Sequence, residues 1–466
     1  MNKNSIVLRN FIILIFLALT LLYSEIWIQE IKGQTSEATT KPNILLILSD
    51  QQHWKAMGHM DSFFDTPNLD TFAKTGIVFE NAFCTTPQCS PSRSSLLTGF
   101  YPSSTGVIGN IGAAGGDFLA QHTIATELQE AGYYTGYFGK WHLGSNEIAI
   151  EGWDQKKLKQ NDSLAEKNTV QFLRKTRKSG QPFALFVSMV NPHDIYHFKK
   201  HEASPNAKEN PLPLSWEKET FEEKPLIQKQ FMLEDQGETI EGMPRLEWQK
   251  YRDAYRDYTK QFDNNIGVII NELKQQGQWD NTIVIITSDH GDMDTNHRLI
   301  YKGPFMYEHM MRVPLMMHIP KKYNAEQPRL ISDVDIVNVD IVPTIRDYCG
   351  LDDLKSHGIS LMPLLMGSEE YKARDFVIGQ YFSKQRWVNP IRMIRTSEFK
   401  LNRHIRYGDE LYDLKNDPDE LRNLANVQKY AEIKEQLSQK LNQWIKNHND
   451  TFYSQKATSR SGEVLD

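Results

Sequence analysis

Four apolar stretches are spaced along the chain, and each hands over abruptly to polar, ionisable residues. Asn43 to Ser49 (NILLILS) ends in Asp50-Gln51-Gln52-His53, and Ala184 to Val190 (ALFVSMV) ends in Asn191-Pro192-His193-Asp194. Thr282 to Ser288 (TIVIITS) ends in Asp289-His290-Gly291-Asp292, and a weaker run, Tyr133 to Phe138, ends in Gly139-Lys140-Trp141-His142. Short runs without alternation predict strands covered on both faces, as in a parallel sheet. Helical patterns lie between them. Thr66-Pro67 opens a short helix with Leu69, Phe72 and Ala73, and Thr123 to Ala131 closes at Gly132. Tyr251 to Gln276 is long, with Tyr258, Phe262, Ile266, Ile269 and Leu273 on one stripe. Alternating strands and helices predict an α/β fold with a doubly wound, mostly parallel sheet. Ligands bind such sheets beyond the carboxyl ends of the strands, so the four polar segments are expected to converge.

Two regions break the pattern. From His193 to about Leu246 the chain is charged, Pro-rich and irregular, which reads as a surface insertion. After about Ile391, the runs IRMIRT, EFKLN and ELYDL predict a small antiparallel sheet. Asp417-Pro418 is then expected to open a helical region in which Tyr430, Ile433, Leu437, Leu441, Trp444 and Ile445 form one apolar stripe. The tail from about Thr451 is polar and expected to be loose. At the other end, Lys3 and Arg9 precede an apolar run, FIILIFLALTLLY, that is short for a spanning helix but fits a secretory signal. The division is a signal peptide over 1–33, a linker over 34–42, a catalytic domain over 43–385 and a C-terminal sheet-and-helix subdomain over 386–466. Export to the periplasm or medium is expected, with no stable membrane span. An uncleaved anchor is the alternative, because no clean small-residue cleavage site follows.

Composition narrows the partners. The 466 residues carry a net charge of −6 with mixed signs, which gives no nucleic-acid footprint. An anionic substrate would need a local basic pocket rather than bulk charge. Only Cys84, Cys89 and Cys349 are present, too few for a disulfide framework or a four-cysteine zinc site. Cys84 and Cys349 are expected to be buried thiols.

Cys89 differs. It sits in Phe83 to Gly99 (FCTTPQCSPSRSSLLTG), just before a Pro tolerated in a first helical turn, with Gly99 as the stop. That places it at a helix N-terminus, where negative charge is favoured, with Arg93 four residues on and able to share its face. A lone Cys is usually a small buried hydrophobe, but here Ser, Pro and Arg stand at fixed offsets. Asp50, Gln51, Asp289 and His290, two at each of two strand ends, are the kind of donors a hard divalent cation takes.

C-S-P-S-R resembles the C-x-P-x-R signature of the type I, formylglycine-dependent sulfatases of the alkaline phosphatase superfamily. G-K-W-H-L-G with Lys140 and His142, N-P-H-D with His193, and H-R-L-I-Y-K-G with Lys302 resemble further sulfatase segments. So do Tyr307-Glu308 with Arg312-Val313-Pro314, and the E-L-Y-D-L … N-D-P stretch of the C-terminal region. The resemblance implies that Cys89 is converted to formylglycine, whose hydrated aldehyde attacks sulfur. It implies a metal, Ca²⁺ first with Mn²⁺ or Mg²⁺ as alternatives, held by Asp50, Gln51, Asp289, His290 and the residue made from Cys89. Arg93, Lys140 and Lys302 would neutralise sulfate oxygens, Asp50 would help deprotonate the nucleophile, His193 would protonate the leaving alcohol, and His142 would assist sulfate expulsion. Gln51 and His290 depart from the commonest pattern, where Asp and Asn stand, which lowers the ligand charge and leaves the metal open.

The function implied is removal of sulfate from a sulfated oligo- or polysaccharide, algal material such as ulvan or a glycosaminoglycan. The implied partner is a formylglycine-generating or anaerobic maturation enzyme. A phosphonate or phosphate ester hydrolase of the same superfamily is the first alternative, and an inactive carbohydrate-binding or membrane-anchored protein is another. Sugar recognition is expected from His197, Arg298, Arg392 and Arg395, which lie in or near the insertion and the C-terminal basic segment.

Overall fold

Each central strand divides its side chains between two cores. In β1 (Asn43–Asp50), Ile44, Leu46 and Leu48 join one cluster while Leu45 and Ile47 join the other. This is why the run does not alternate in polarity: both of its faces are covered. The computed structural model describes residues 41–465 apart from positions 324, 353 and 354, so the signal segment expected over 1–33 and most of the linker lie outside the described residues.

The remaining strands of the main sheet are β2 (Ile77–Phe79), β4 (Tyr134–Gly139), β5 (Gln155–Lys157), β6 (Phe183–Pro192), β7 (Thr282–Ser288), β8 (Leu315–His318) and β9 (Arg329–Ile331), with β3 (Ala82–Phe83) and β10 (Ile336–Val337) pairing separately. The order across the sheet is β5-β4-β6-β1-β7-β8-β2-β9. β5, β4, β6, β1 and β7 are parallel; β8 runs antiparallel to both its neighbours. Leu46 stands opposite Phe186 of β6 and Ile285 of β7, so the registers of three central strands are locked by large apolar groups. Burying each contributes about 1.5–3 kcal/mol. One face is covered by Leu96 and Leu97 of the helix Cys89–Thr98 and by Ile341, Val342 and Ile345 of the helix Ile341–Cys349. The other is covered by Phe172 and Leu173 of Asp162–Ser179 and by Phe262, Ile266, Ile269 and Leu273 of Arg245–Gln275. The expected α/β sheet is therefore present. Because β4, β6, β1 and β7 are adjacent and parallel, their four polar C-terminal segments leave from one edge.

The C-terminal sheet is antiparallel: β11 (Val377–Lys384), β12 (Trp387–Arg395), β13 (Phe399–His404) and β14 (Glu410–Asp413), in that order. β11 belongs to it, so the sheet starts ahead of the boundary expected at 386. Leu437, Leu441, Trp444 and Ile445 are the buried stripe of the helix Ala431–Asn447.

Three local expectations are corrected. Asp417-Pro418 forms a turn instead of starting the helix, because the Asp417 carboxylate accepts from the N–H groups of Leu421 and Arg422. The segment after His193 is not a loose surface: Ile227, Phe231 and Met232 of the helix Leu226–Glu234 are fully buried, with Phe231 edge-on to Phe305. The tail is docked too, through buried Phe452 and a bond from Thr458 N–H to Val388 O of 2.8 Å. Among the described residues no helix is long and apolar enough to cross a membrane.

Candidate active site

The edge where the four strands end carries a dense, buried group of charges. Asp50 ends β1, Asp289 and His290 follow β7, and Lys140 follows Gly139 at the end of β4. Gly139 is in the left-handed region (φ 105°), and a Cβ there would lie 1.8 Å from Ser188 O. Only glycine lets β4 and β6 meet this closely, and Lys140 N–H then donates to Ser188 O at 2.9 Å. Gln51 (φ 72°) and His142 (φ 58°) also hold left-handed conformations without being glycine, a backbone strain that clusters at functional sites.

The helix Cys89–Thr98 enters this edge end-on and is buried along its whole length. Ser92 Oγ donates to Asp289 O, and Asn338 Nδ2 donates to Ser92 Oγ at 2.8 Å, which fixes its first turn. The Ser90 N–H, one of the amides expected to face an anion, donates to Asn110 Oδ1 at 3.0 Å. Cys89 Sγ lies 2.9 Å from Lys302 Nζ, 3.3 Å from His290 Nε2, 3.6 Å from Lys140 Nζ and 3.7 Å from Asp50 Oδ1. Burial alone would raise this thiol, but Lys140, Lys302 and His290 outweigh it and pull the group well below the ordinary cysteine value. Cys84, also fully buried, shows the opposite: burial pushes its thiol up, with no cation beside it to reverse the shift. Only Cys89 has the electropositive surroundings of a reactive cysteine.

Arg93 is placed differently from the expectation. Its guanidinium does not face the cavity. Nε donates to Asp289 Oδ2 at 2.9 Å, Nη2 to Asp50 Oδ2 at 3.0 Å, and Nη1 to Ser188 Oγ and Lys140 O at 2.6 and 2.8 Å. Two of its nitrogens orient the two carboxylates, and the third is held by Ser188 and the Lys140 carbonyl. Lys140 Nζ forms a tight ion pair with Asp50 Oδ2. Burial raises the Asp50 carboxyl, as does Cys89, yet Lys140, His193 and Arg93 together hold it far below the usual carboxylate range.

At this edge a donor cluster could hold a divalent cation: ligand atoms of Asp50, Cys89, Asp289 and His290 all lie within 4.8 Å of one another. Gln51 joins them through its main chain, its N–H donating to Asp289 Oδ1 at 3.0 Å. Its side chain bridges Asp292 Oδ2 (2.7 Å) and Lys302 Nζ (2.7 Å). Two carboxylates and an imidazole suit a hard or borderline ion, and the Gln51 amide oxygen would have to leave Lys302 to join them. His290 Nδ1 sits 2.8 Å from Gly291 O, which directs Nε2 toward the cluster.

Above Cys89 opens a cavity of about 430 Å³, lined by Gln88, Asn110, His142, His193, Tyr196, Gln236, Lys302, Lys384 and Gln385 among others. His142 and His193 therefore share the cavity with Cys89 and Lys302, as expected. His193 is held below the ordinary histidine value, first by burial and then by Lys140. The four proposed sugar readers are not on this wall. Arg392 is buried against Asp450 (2.6 and 2.7 Å), and Arg395 is buried against Glu308 and Asp335 (3.2 Å each). In the sequence both read as basic groups of an exposed segment, but β12 is an interior strand of its sheet and each guanidinium is consumed by a carboxylate. Arg298 donates to Trp216 O and lies over the Trp216 ring, and His197 is exposed. Lys384, Asn110, Tyr196 and Gln236 were missed. Asn110 had a signal, the glycine-rich run G-N-I-G-A-A-G-G around it; Lys384 had none beyond its place beside Gln385.

The sulfatase family matches residues 42–351 of this chain, and the C-terminal family of N-sulphoglucosamine sulphohydrolase matches residues 296–447. The chain belongs to the type I sulfatases. It is a sulfuric ester hydrolase. Its relatives include a Δ4,5-hexuronate-2-O-sulfatase from Bacteroides thetaiotaomicron, 28% identical over 91% of this chain and 93% of that protein. An ulvan-active sulfatase from Formosa agariphila is 27% identical over 90% of this chain and 84% of that protein. The solved structure of a 2-O GAG sulfatase superposes with a TM-score of 0.78 at 25% identity, covering 90% of this chain and 95% of that one. In this sulfatase, as in the sequence reading, the sheet is mixed but mostly parallel, with a four-stranded antiparallel sheet at the C-terminal end.

Proposed function

We propose that this sulfatase removes sulfate from a sulfated carbohydrate, with Cys89 converted to formylglycine and a divalent cation, Ca²⁺ in the first instance, held by Asp50, Gln51, Asp289 and His290. The observation that carries the reading is the position of Cys89: it forms the floor of the cavity and is ringed by Lys302, Lys140, His290 and Asp50. The carbohydrate follows from relatives that act on a hexuronate sulfate and on ulvan, and from an amide-rich cavity wall suited to hydroxyl groups.

When formed, formylglycine supplies a hydroxyl nucleophile toward sulfur; the cation, when bound, supplies positive charge against the sulfate oxygens. The chain's own groups do the rest. Lys302 and Lys140 bring two ammonium groups to the reacting end, where charge develops. Asp50, kept ionised by Lys140 and Arg93, stands within reach of the nucleophile's proton. His193, on the cavity wall, is our choice to hand a proton to the departing alcohol, and His142 to take one as sulfate leaves. Arg93 acts by holding Asp50 and Asp289 in place. Maturation by a formylglycine-generating enzyme or an anaerobic counterpart, and export directed by residues 1–33, belong to the same reading.

Intact mass of the protein purified from its native compartment tests both the Cys89 conversion and removal of the N-terminal segment. Sulfate release is then measured against matched sulfate, phosphate and phosphonate esters. A protein with an unconverted thiol that hydrolyses phosphonates faster than sulfates would overturn the proposal.

A further inference from the structure

The cavity wall carries two ammonium groups and no carboxylate: Lys302 beside Cys89, and Lys384 at the end of β11. Lys302 is accounted for by the group that reacts. Lys384 is not. Its Nζ lies 2.9 Å from Asp235 Oδ2, 3.3 Å from Lys302 O and 4.1 Å above the centre of the Phe231 ring. Asp235 also meets a second cation, Arg460 of the docked tail, 3.6 Å away and half-exposed, which is shared with Glu238 at 3.4 Å. The hairpin that carries Lys384 is itself pinned. Ala114 N–H donates to Gln385 O and Ser383 Oγ donates to Ala114 O, both at 2.6 Å, so the ammonium group is presented from a fixed backbone.

We infer that Lys384 reads a second anionic group on the substrate, a carboxylate or another sulfate on the sugar that carries the scissile sulfate, with Asp235 standing in for that group when the cavity is empty. The inference rests on the carbohydrate sulfatase reading above and adds the substrate class to it. The exchange is favourable in kind because no new charge is buried. The substrate anion replaces Asp235 on a cation that is already desolvated, and Asp235 falls back on Arg460 at the solvent edge. A singly charged sulfated sugar offers no such replacement, so Lys384 stays on Asp235 and that sugar gains nothing from it. Tyr196, stacked on Tyr301 at 4.2 Å, gives the same wall an aromatic face for the sugar ring.

The test uses two matched pairs: glucosamine 2-N,6-O-disulfate against N-acetylglucosamine 6-O-sulfate, and 2-O-sulfated glucuronate against its methyl ester. For the mature, metal-loaded enzyme the ratio of kcat/KM within at least one pair should favour the doubly anionic member. Lys384→Gln should lower that ratio by about tenfold or more through KM, and Lys384→Arg should largely restore it. If the natural enzyme shows no preference in either pair, or if Lys384→Gln leaves the ratio within about twofold, the inference falls while the sulfatase reading stands. If no sulfate is released from any member, the proposed function fails. The inference is then decided by calorimetric affinities of the same pairs, where an equal loss of both members on Lys384→Gln overturns it.

Discussion

Two of the clusters of buried charge among the described residues differ in one respect: only one of them lies beneath the cavity that Cys89 lines. At the strand ends, Arg93, Lys140, Lys302 and His290 surround Asp50, Asp289 and Cys89 beneath an open cavity. At the seam between the main sheet and the C-terminal sheet, Arg395 and Lys400 meet Glu308, Glu420 and Asp335, none of which lines that cavity. There, burial raises Glu308, but Arg395 and Lys400 reverse it and hold the group well down. Both clusters shift pKa values strongly, so perturbed titration by itself does not separate a site from a structural clamp. What separates them is closure. The seam uses every charge on a partner within the fold, whereas the strand-end cluster leaves Lys302 and a reactive sulfur facing space. The Y-E … R-V-P stretch, which resembles a family motif, supplies Glu308 to the seam; in this chain it joins two sheets.

The comparison can be broken most severely at Cys89. Cys89→Ser and Cys89→Ala are expected to abolish turnover of an aryl sulfate, a loss of about 10³-fold or more, while circular dichroism and the melting transition stay close to those of the natural protein. Near-native turnover in either variant would remove the cysteine from the chemistry. Next in size is Asp289→Asn, which takes one of two carboxylates from the donor cluster and one of the two partners from Arg93. Elemental analysis should show the bound cation lost, with activity falling in step; full activity in metal-free protein would contradict the assignment.

The seam should fail in a different currency. Arg395→Met leaves Glu308 and Asp335 without their shared cation, and the loss expected from urea unfolding is about 3–5 kcal/mol. The protein that remains folded should keep kcat within a few-fold. Adding Asp335→Asn should recover part of the stability, since Glu308 keeps Lys400 while Asp335 has lost its salt-bridge partner. A variant that loses kcat without losing stability would place the seam in the active site after all.

The smallest effect sharpens the cavity side. Burial brings the Lys384 ammonium down to about 8, partly offset by Asp235, with Lys302 and Arg460 adding to the fall. Below that value Lys384 is charged and can hold a second anion; as pH rises through it the proton is lost and the preference fades. The ratio for doubly over singly anionic substrates should therefore decline between about pH 7 and 9, on top of any pH dependence the two share. A flat ratio across that range would mean that Lys384 keeps its proton or does not read the substrate.

Much of the fold was legible because its rules are local. An apolar run buried on both faces cannot alternate, so β1, β6 and β7 announced themselves, and the polar residues behind them marked the edge where the site lies. The Cys89 motif was legible for a similar reason: fixed offsets on one helix turn bring Cys and Arg to the same edge whatever the rest of the chain does. The insertion and the tail differ from their expected exposure because the burial of Phe231 and Phe452 depends on segments far away in sequence, Phe305 for the one and Arg392 of β12 for the other.

The sequence by itself thus determined the sheet, the edge, the place of Cys89 at that edge and the family. Only the tertiary structure decided the employment of the charges. Arg392, Arg395 and Lys384 are three basic residues of one hairpin, alike in composition and spacing. Two meet carboxylates from Asp450, Glu308 and Asp335 in the interior and are spent on stability, and the third ends a strand at the rim of the cavity. A side chain's charge is written in the sequence, but its partner and its access to water are set by which distant segment packs against it.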